Sequence, residues 1–551
     1  MEVSSGSRRG QQLVTTCTIT QDPGTTREVK IQTDRHLIAA RIAFLVLVGY
    51  SVIGAVSVVV HSARLLDNRW ENSYFESPQT YAAIYALQTG KLYVPMSEPP
   101  YTPQAYTPLY YAINAETAWL AHRDMDRFVL YARLITYIAY LLCGLMVYSV
   151  CRVAGISRVY SVLAALMMLG QPDFTGWNVS PRPDMLYLLA MLVSLFCAVK
   201  WADHAWLGCG MAGLFAGTAF LIKQPGLTVA AAIFLVFVLS RQFKRAAVLI
   251  AGTLAPILVV FCVLYWRRDP FLQQIAFVGN SLWSLSDAAR FAREHLLYVH
   301  WLVPAGIGVL GFRRAVQMDV KAKMIASFGF MNWLMACATL PQVGGYLNYL
   351  LPGLAGSALL LPFAVQVFQE RPRHFAALAV VAIALIAATS ATFRYSRDLS
   401  RYYSAPTADS LNWLRPYRVL SDLTTLNLHG REPNLLDPFG AHVLELTKHW
   451  DSTPLVHGLN DGDYDLIILT RVNFLHVLPS FRGVSYFSPV QVKIINEKYE
   501  VLCSTLTRMV LRPRGREVDA TPEMFGRMFS QRCGTGYRER PLDLKLAPGS
   551  R

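Results

Sequence analysis

Charge is what this sequence has least of. Only 16% of its 551 residues are Asp, Glu, Lys or Arg, against about a quarter in ordinary globular chains, while 53% are hydrophobic. The apolar residues fall in repeated blocks of helix-spanning length, which excludes a single soluble globule and leaves a polytopic membrane protein with room for a soluble domain. Cysteine is also scarce, nine in all and without zinc-binding spacing. Cys143, Cys151, Cys197, Cys209, Cys262 and Cys337 lie in or near apolar runs and read as small buried side chains. Cys503 and Cys533 fall in the tail, where an external location would permit a disulfide between them. No phosphate-cradling Gly-rich signature and no recognisable Ser–His–Asp arrangement is present, so neither a nucleotide-driven motor nor a serine hydrolase finds support. Nor is there an internal repeat of the kind that builds many transporters. The net charge of +15 would suit nucleic acid, but many of the basic residues occupy short loops between apolar runs, where they orient a membrane chain; no nucleic-acid partner is expected.

What is present orders itself along the chain. Residues 1–37 are polar and read as a disordered cytoplasmic tail, a stretch too long for a cleavable signal peptide. Apolar runs then mark spans at roughly 38–60, 128–150, 158–172, 184–200, 206–222, 226–240, 246–266, 299–312, 324–340, 350–368 and 375–392, within a membrane module of residues 38–392. The run at 109–121, broken by Asn114, Glu116 and Thr117, is placed on the membrane surface. With the N-terminus inside, the inner loops carry Arg152, Arg158, Lys200, Arg241, Lys244, Arg245, Arg313, Arg314, Lys321, Lys323, Arg371 and Arg373, and the short outer turns little beyond Arg182 and Lys223. That is a positive-inside pattern. It puts a large first outer loop (61–127) and the region 393–551 on the same outer face. The tail alternates short apolar runs: Tyr464–Leu469 and Val490–Ile495 are predicted strands, and Ala441–Trp450 a helix. The expected fold is mostly α, about eleven transmembrane helices with a small C-terminal α/β domain.

The residues that suggest chemistry collect on that outer face. Between Arg69 and Asn114 lie eight Tyr, with a short helix predicted over Pro78–Leu87 and stopped at Gly90, then five Pro between 92 and 108 that force extended or turning backbone. Asp67, Glu71 and Glu76 precede that helix. A carboxylate there can deprotonate an acceptor hydroxyl if burial or a neighbouring base tunes it; the plainer reading is a solvated loop acid. Glu76 is favoured because it abuts Ser77-Pro78. Arg182 and Asp184, in the run Ser180–Asp184, suit a phosphate and its orienting acid or metal ligand, or equally an interfacial Arg beside a helix-capping Asp. Lys223-Gln224-Pro225 sets a cation at an outer boundary against the topology rule, as a lipid-linked phosphate would require; Lys91 is a second such cation. Tyr346, Asn348 and Tyr349, after paired Gly, would suit a sugar platform, although aromatics at a membrane face usually form an interfacial belt. No metal ligand set is assigned, though a divalent metal is compatible. Asn178-Val179-Ser180 is an acceptor-type sequon in a short outer turn.

With these residues in view, the chain resembles the GT-C superfamily of membrane glycosyltransferases, especially the bacterial group related to aminoarabinose transferases and protein mannosyltransferases. The likeness rests on Glu76, the helix containing Tyr81, then Gly90, Tyr93, Pro95 and the run Tyr106–Tyr111, together with Arg182-Pro183-Asp184, Lys223-Gln224-Pro225, the Asn348–Pro352 turn and Gly430–Gly440. It implies an inverting transferase that moves a sugar from a polyprenyl-phosphate donor to a glycan, glycolipid or protein acceptor on the outer face of the cell membrane, as a monomer or weak oligomer. An acid would act as base, and Lys or Arg would stabilise the departing phosphate. The chain has Glu76 where many members have Asp or an Asp-Glu pair. A lipid-linked oligosaccharide ligase or polymerase, and a transporter or flippase of a lipid-linked anion, are the alternatives.

Overall fold

The computed structural model describes residues 45, 47–49, 51–67, 76–96, 99–274, 282–293, 299–342, 347–370, 411–433, 435–470, 485–505, 507–529 and 531–534. The polar tail, Glu71, Tyr346 and the expected span at 375–392 lie outside these residues. The membrane module is a helical bundle: α1 (Leu47–Leu65), then α2 (Glu76–Thr89), α3 (Pro108–Leu120), α4 (Met125–Val153), α5 (Arg158–Leu169), α6 (Asp184–Lys200), α7 (Ala205–Ile222), α8 (Thr228–Leu239) and α9 (Phe243–Trp266). The helices Val299–Ala315, Val320–Thr339 and Leu351–Glu370 complete it.

Among the described residues, four helices are long and apolar enough to cross a membrane, Leu47–Leu65, Met125–Val153, Phe243–Trp266 and Leu347–Val367. This makes a multi-pass membrane protein. The count corrects the expected eleven: Arg158–Leu169, Trp206–Ile222 and Gln224–Leu239 are apolar but shorter than the length that qualifies, although they lie close to the expected bounds. Helix α3 has 13 residues, about 20 Å at the helical rise, too short to span and matching the surface placement. Close packing relies on small residues. A Cβ at Gly213 or Gly217 of α7 would lie 2.4 Å from the carbonyl oxygens of Leu249 and Thr253 in α9, so these backbones meet only because both positions are glycine. Four of the six expected buried cysteines are buried; Cys262 and Cys337 are exposed on helix faces.

The loop after α1 is ordered by hydrogen bonds rather than by a core of its own. Helix α2 starts at Glu76 and runs to Thr89, and Gly90 ends it with φ +71°, as the left-handed turn after a helix favours. The following backbone is held by polar side chains beyond α9: Leu92 N donates to Asp269 Oδ2 (2.6 Å), Gln274 Nε2 to Val94 O (2.6 Å) and Gln104 N to Gln274 Oε1 (2.9 Å).

The C-terminal region is α/β. Its sheet has the order β1–β2–β4–β3, with β1 (Val419–Ser421) parallel to β2 (Leu466–Thr470), and β4 (Arg508–Pro513) antiparallel to both β2 and β3 (Tyr499–Ser504). Ile467 and Leu469 face one apolar cluster while Leu466 and Ile468 face another. Both faces of β2 are therefore covered, which is why it reads as a continuous apolar run. The predicted strand at Val490–Ile495 is instead a helix, Pro489–Lys498: Ser488 and Gln491 form a reciprocal capping box ahead of it, and that cap outweighs the β-branched residues. The predicted helix at Ala441–Trp450 is Pro438–Leu446, started by Asp437, whose side chain accepts from Gly440 N. Cys503 and Cys533 form a disulfide. The domain docks on the loop after α1 through a buried contact between Ser77 Oγ and Thr425 Oγ1 (2.9 Å) and through Tyr101 against Trp450 (5.1 Å between centroids).

Candidate functional site

Three helix boundaries deliver the polar residues singled out above to one place. Asp184 opens α6 directly after Pro183. The turn before it is pinned by Tyr110, whose hydroxyl donates to Pro181 O (2.6 Å). Lys223 ends α7 in extended conformation (φ −155°, ψ 135°), and Pro225 starts the next turn, so the chain pauses there and leaves the Lys side chain free to turn inward. Gly226 permits this pause, because a Cβ would lie 2.3 Å from the Ala219 carbonyl carbon. Asn348 and Tyr349 come from the 3-10 turn Leu347–Leu350 that leads into Leu351–Glu370.

Asp184 is the centre. Its Oδ1 accepts from Lys223 Nζ at 2.7 Å and from Asn348 Nδ2 at 2.9 Å. Its Oδ2, also buried, has Arg182 Nε at 3.8 Å and no hydrogen-bond partner among the described residues. Lys223, 1% exposed, lies 4.4 Å from the Tyr349 ring centroid and 5.3 Å from that of Tyr187. Arg182 stacks 4.4 Å over Trp177 and donates to Tyr106 Oη at 3.2 Å. Two cations thus converge on one carboxylate inside an aromatic cage. Lys223 carries three N–H donors, and only the bond to Asp184 is formed among the described residues. Such a site can take an anionic group that accepts hydrogen bonds from Lys and Arg.

The acids of the loop after α1 stand elsewhere. Glu76 is buried at 2% exposure and held by Arg133 of α4 through two contacts, Nη2 to Oε2 at 2.6 Å and Nε to Oε1 at 3.3 Å. Its charge is thereby matched. Asp67 is exposed, and it shares with Glu76 and Arg133 a cleft of about 260 Å³ at the seam with the C-terminal domain. Lys91 sits on the exposed turn after α2, and no contact draws it to Asp184; Gln224 donates to Ala105 O (2.9 Å) at the edge of the loop. Asn178 of the sequon is fully buried against Ser62.

Arg133 and Trp177 were not expected, and Tyr106 was noted only within the run Tyr106–Tyr111. The signal for Arg133 was available: a lone Arg nine residues into a long apolar helix has a partner or a task. Asp173, in the turn Pro172–Phe174, was also passed over; burial pushes its carboxyl up to about 7. Among the described residues no group of three or more His, Cys, Asp or Glu is arranged to hold a metal ion.

Comparison with known proteins agrees with this architecture. Residues 125–266 match the family model of dolichyl-phosphate-mannose-protein mannosyltransferases. No curated protein matches the sequence significantly. The fold is shared with crystal structures of ArnT from Cupriavidus metallidurans. The apo form superposes with TM-score 0.54 at 14% identity, over 84% of this chain and 97% of ArnT. The form bound to undecaprenyl phosphate gives TM-score 0.53 at 14% identity, over 84% and 98%. Residues 125–266 thus resemble the protein-mannosyltransferase family model, and the chain shares its fold with ArnT.

Proposed function

We propose that the protein transfers a sugar from a polyprenyl-phosphate donor to an acceptor on the outer side of the membrane. The observation that carries this reading is the buried cluster in which Lys223 and Arg182 both face Asp184. A polyprenyl-phosphate sugar is a phosphodiester with one negative charge. It becomes a phosphate monoester as the bond to the sugar breaks, so negative charge grows on its oxygens during the reaction. Preorganised cations shielded from water stabilise that growth more than they stabilise the ground state. Lys223 and Arg182 take this role, with Asp184 and Asn348 holding Lys223 in place. The acceptor oxygen forms the new bond to the sugar's anomeric carbon as the carbon–phosphate-oxygen bond breaks. Its proton passes to one of Asp67, Glu71 and Glu76, and the single displacement inverts the anomeric centre. That ArnT, of the same fold, has been crystallised with undecaprenyl phosphate supports the donor class.

The test is transfer by the purified chain in liposomes, from radiolabelled polyprenyl-phosphate monosaccharides to an envelope extract. Lys223→Ala is expected to lower the rate about 100-fold or more, the scale of losing one preorganised donor at a developing anion. Consumption of a monosaccharide donor also separates this reading from a ligase of preassembled oligosaccharides. Failure of every donor in the panel would overturn it.

A further inference from the structure

The bundle has a second polar end, remote from Asp184. Helix α6 runs 17 residues from Asp184 to Lys200, about 25 Å at the helical rise. Helix α7 begins at that far end and brings the chain back to Lys223. Helix α9 lies beside α7 in the same direction, since Gly213 meets Leu249 and Gly217 meets Thr253, so the two helices start level with one another. They are tied there: Arg245 Nη1 donates to Ala202 O at 2.8 Å. Four cations therefore gather at neighbouring helix ends. Lys200 closes α6, Arg241 follows α8, and Lys244 and Arg245 open α9. Asp203 is the one acid in the connecting turns, 201–204 and 240–242.

We propose that this end of the bundle holds the headgroup of an anionic phospholipid, drawn from the leaflet opposite the Asp184 cluster. The site stands independently of the transferase reading, and three observations carry it. First, the charge is concentrated and unmatched: among the described residues none of the four cations has a carboxylate partner. Such a patch attracts an anion, and basic pockets between membrane helices take anionic head groups. One of the cations is held in place, because Lys200 Nζ lies 5.3 Å from the Phe196 ring centroid and 5.2 Å from that of Trp201, within cation–π range of both.

Second, a polar group is left unmet. Gln242, between Arg241 and Phe243, has a buried Oε1 without a hydrogen-bond partner among the described residues. A buried acceptor in that state is costly, and a headgroup hydroxyl would satisfy it. Third, the cations are ringed by apolar groups that face outward. Trp206 is 76% exposed, Leu239 75% and Phe243 64%. From Phe243 the exposed side of α9 stays apolar through Ile250, Leu254 and Leu258, at spacings that keep them on one helix face. An amphiphile meets both demands, with its phosphate on the cations and its acyl chains along this face. A soluble anion would leave Trp206 and Phe243 uncovered.

The experiment is native mass spectrometry of the full chain in mild detergent, titrated with phosphatidylglycerol or with phosphatidylcholine of the same acyl chains. Wild type is expected to prefer phosphatidylglycerol. Lys200→Gln/Lys244→Gln removes two exposed cations and is expected to weaken phosphatidylglycerol binding about 30-fold, at about fivefold for each cation near an anionic head, with phosphatidylcholine binding unchanged. Arg158→Gln/Arg313→Gln removes the same charge from α5 and from Val299–Ala315, which pack on Leu351–Glu370, and is expected to bind as wild type does. Lys200→Arg/Lys244→Arg should retain binding, which separates lost charge from lost folding. Equal affinity of wild type for the two lipids overturns the proposal. So does equal weakening by both Gln pairs, which would reduce the patch to the general charge of that side. Displacement of the lipid by an equal concentration of inorganic phosphate also overturns it, by assigning the cations to a soluble anion.

Discussion

Replacing Lys223 by Met tests whether the cluster around Asp184 is held together as an ion pair. Both side chains are out of water, at 1% and 0% exposure, with Nζ 2.7 Å from Oδ1. Removing the cation leaves Asp184 with Asn348 at 2.9 Å and with Arg182 Nε at 3.8 Å, the latter beyond hydrogen-bond reach. Breaking a buried pair by deleting one partner costs about 3–5 kcal/mol, because a desolvated charge is stranded. Exchanging both partners for neutral residues of similar size costs far less, and is often near neutral. The double variant Lys223→Met/Asp184→Asn should therefore be more stable than Lys223→Met alone, with a coupling on the order of 2–4 kcal/mol in a double-mutant cycle. Unfolding of the four proteins in one detergent supplies the cycle. A Lys223→Met protein as stable as wild type, or a coupling below about 0.5 kcal/mol, would falsify the buried-pair argument. The folded double variant then separates support from chemistry: we expect it to bind donor poorly and transfer no sugar, and normal transfer would reduce the cluster to a structural role.

Glu76→Gln breaks the buried pair with Arg133, a loss on the scale of about 3–5 kcal/mol, and Glu76→Gln/Arg133→Gln should recover most of that in unfolding measurements. Transfer that returns with stability leaves Asp67 or Glu71 as the base, and a stable but inactive double variant assigns the base to Glu76. Asp173 makes stability depend on pH. Its folded carboxyl is raised from 3.8 to about 7, so the native state holds its proton longer than the unfolded chain, and this residue's contribution declines as pH rises from about 4 to 7. Wild type minus Asp173→Asn should show that decline, whereas a flat difference across the window would contradict it. Removing the Cys503–Cys533 bridge, whose ends are separated by 30 in sequence, should cost the C-terminal domain about 3–4 kcal/mol on loop entropy, read as earlier unfolding of that domain in Cys533→Ala.

Local chemistry carried much of this molecule. The apolar blocks announced helices, Gly90 the end of α2, and the double-sided run at Leu466–Thr470 a buried strand, because each depends on neighbours within a few residues. One local signal was outweighed in the reading: the Ser488–Gln491 capping box, hidden behind a β-branched stretch. The cluster around Asp184 was legible in part, since Arg182, Asp184, Lys223 and Asn348 each sit at a helix boundary, where a polar residue in a membrane chain needs a reason.

Only the tertiary structure decided which of them meet. Asp184 is 39 residues from Lys223 and 164 from Asn348, and Glu76 is 57 from Arg133. Pairings of that separation are set by how the helices cross, and helix crossing is governed by close contacts such as Gly213 against Leu249. The sequence alone showed charges that had to be accounted for. Burial then chose their partners, because a charge carried out of water is stable only where the packing brings it an opposite one.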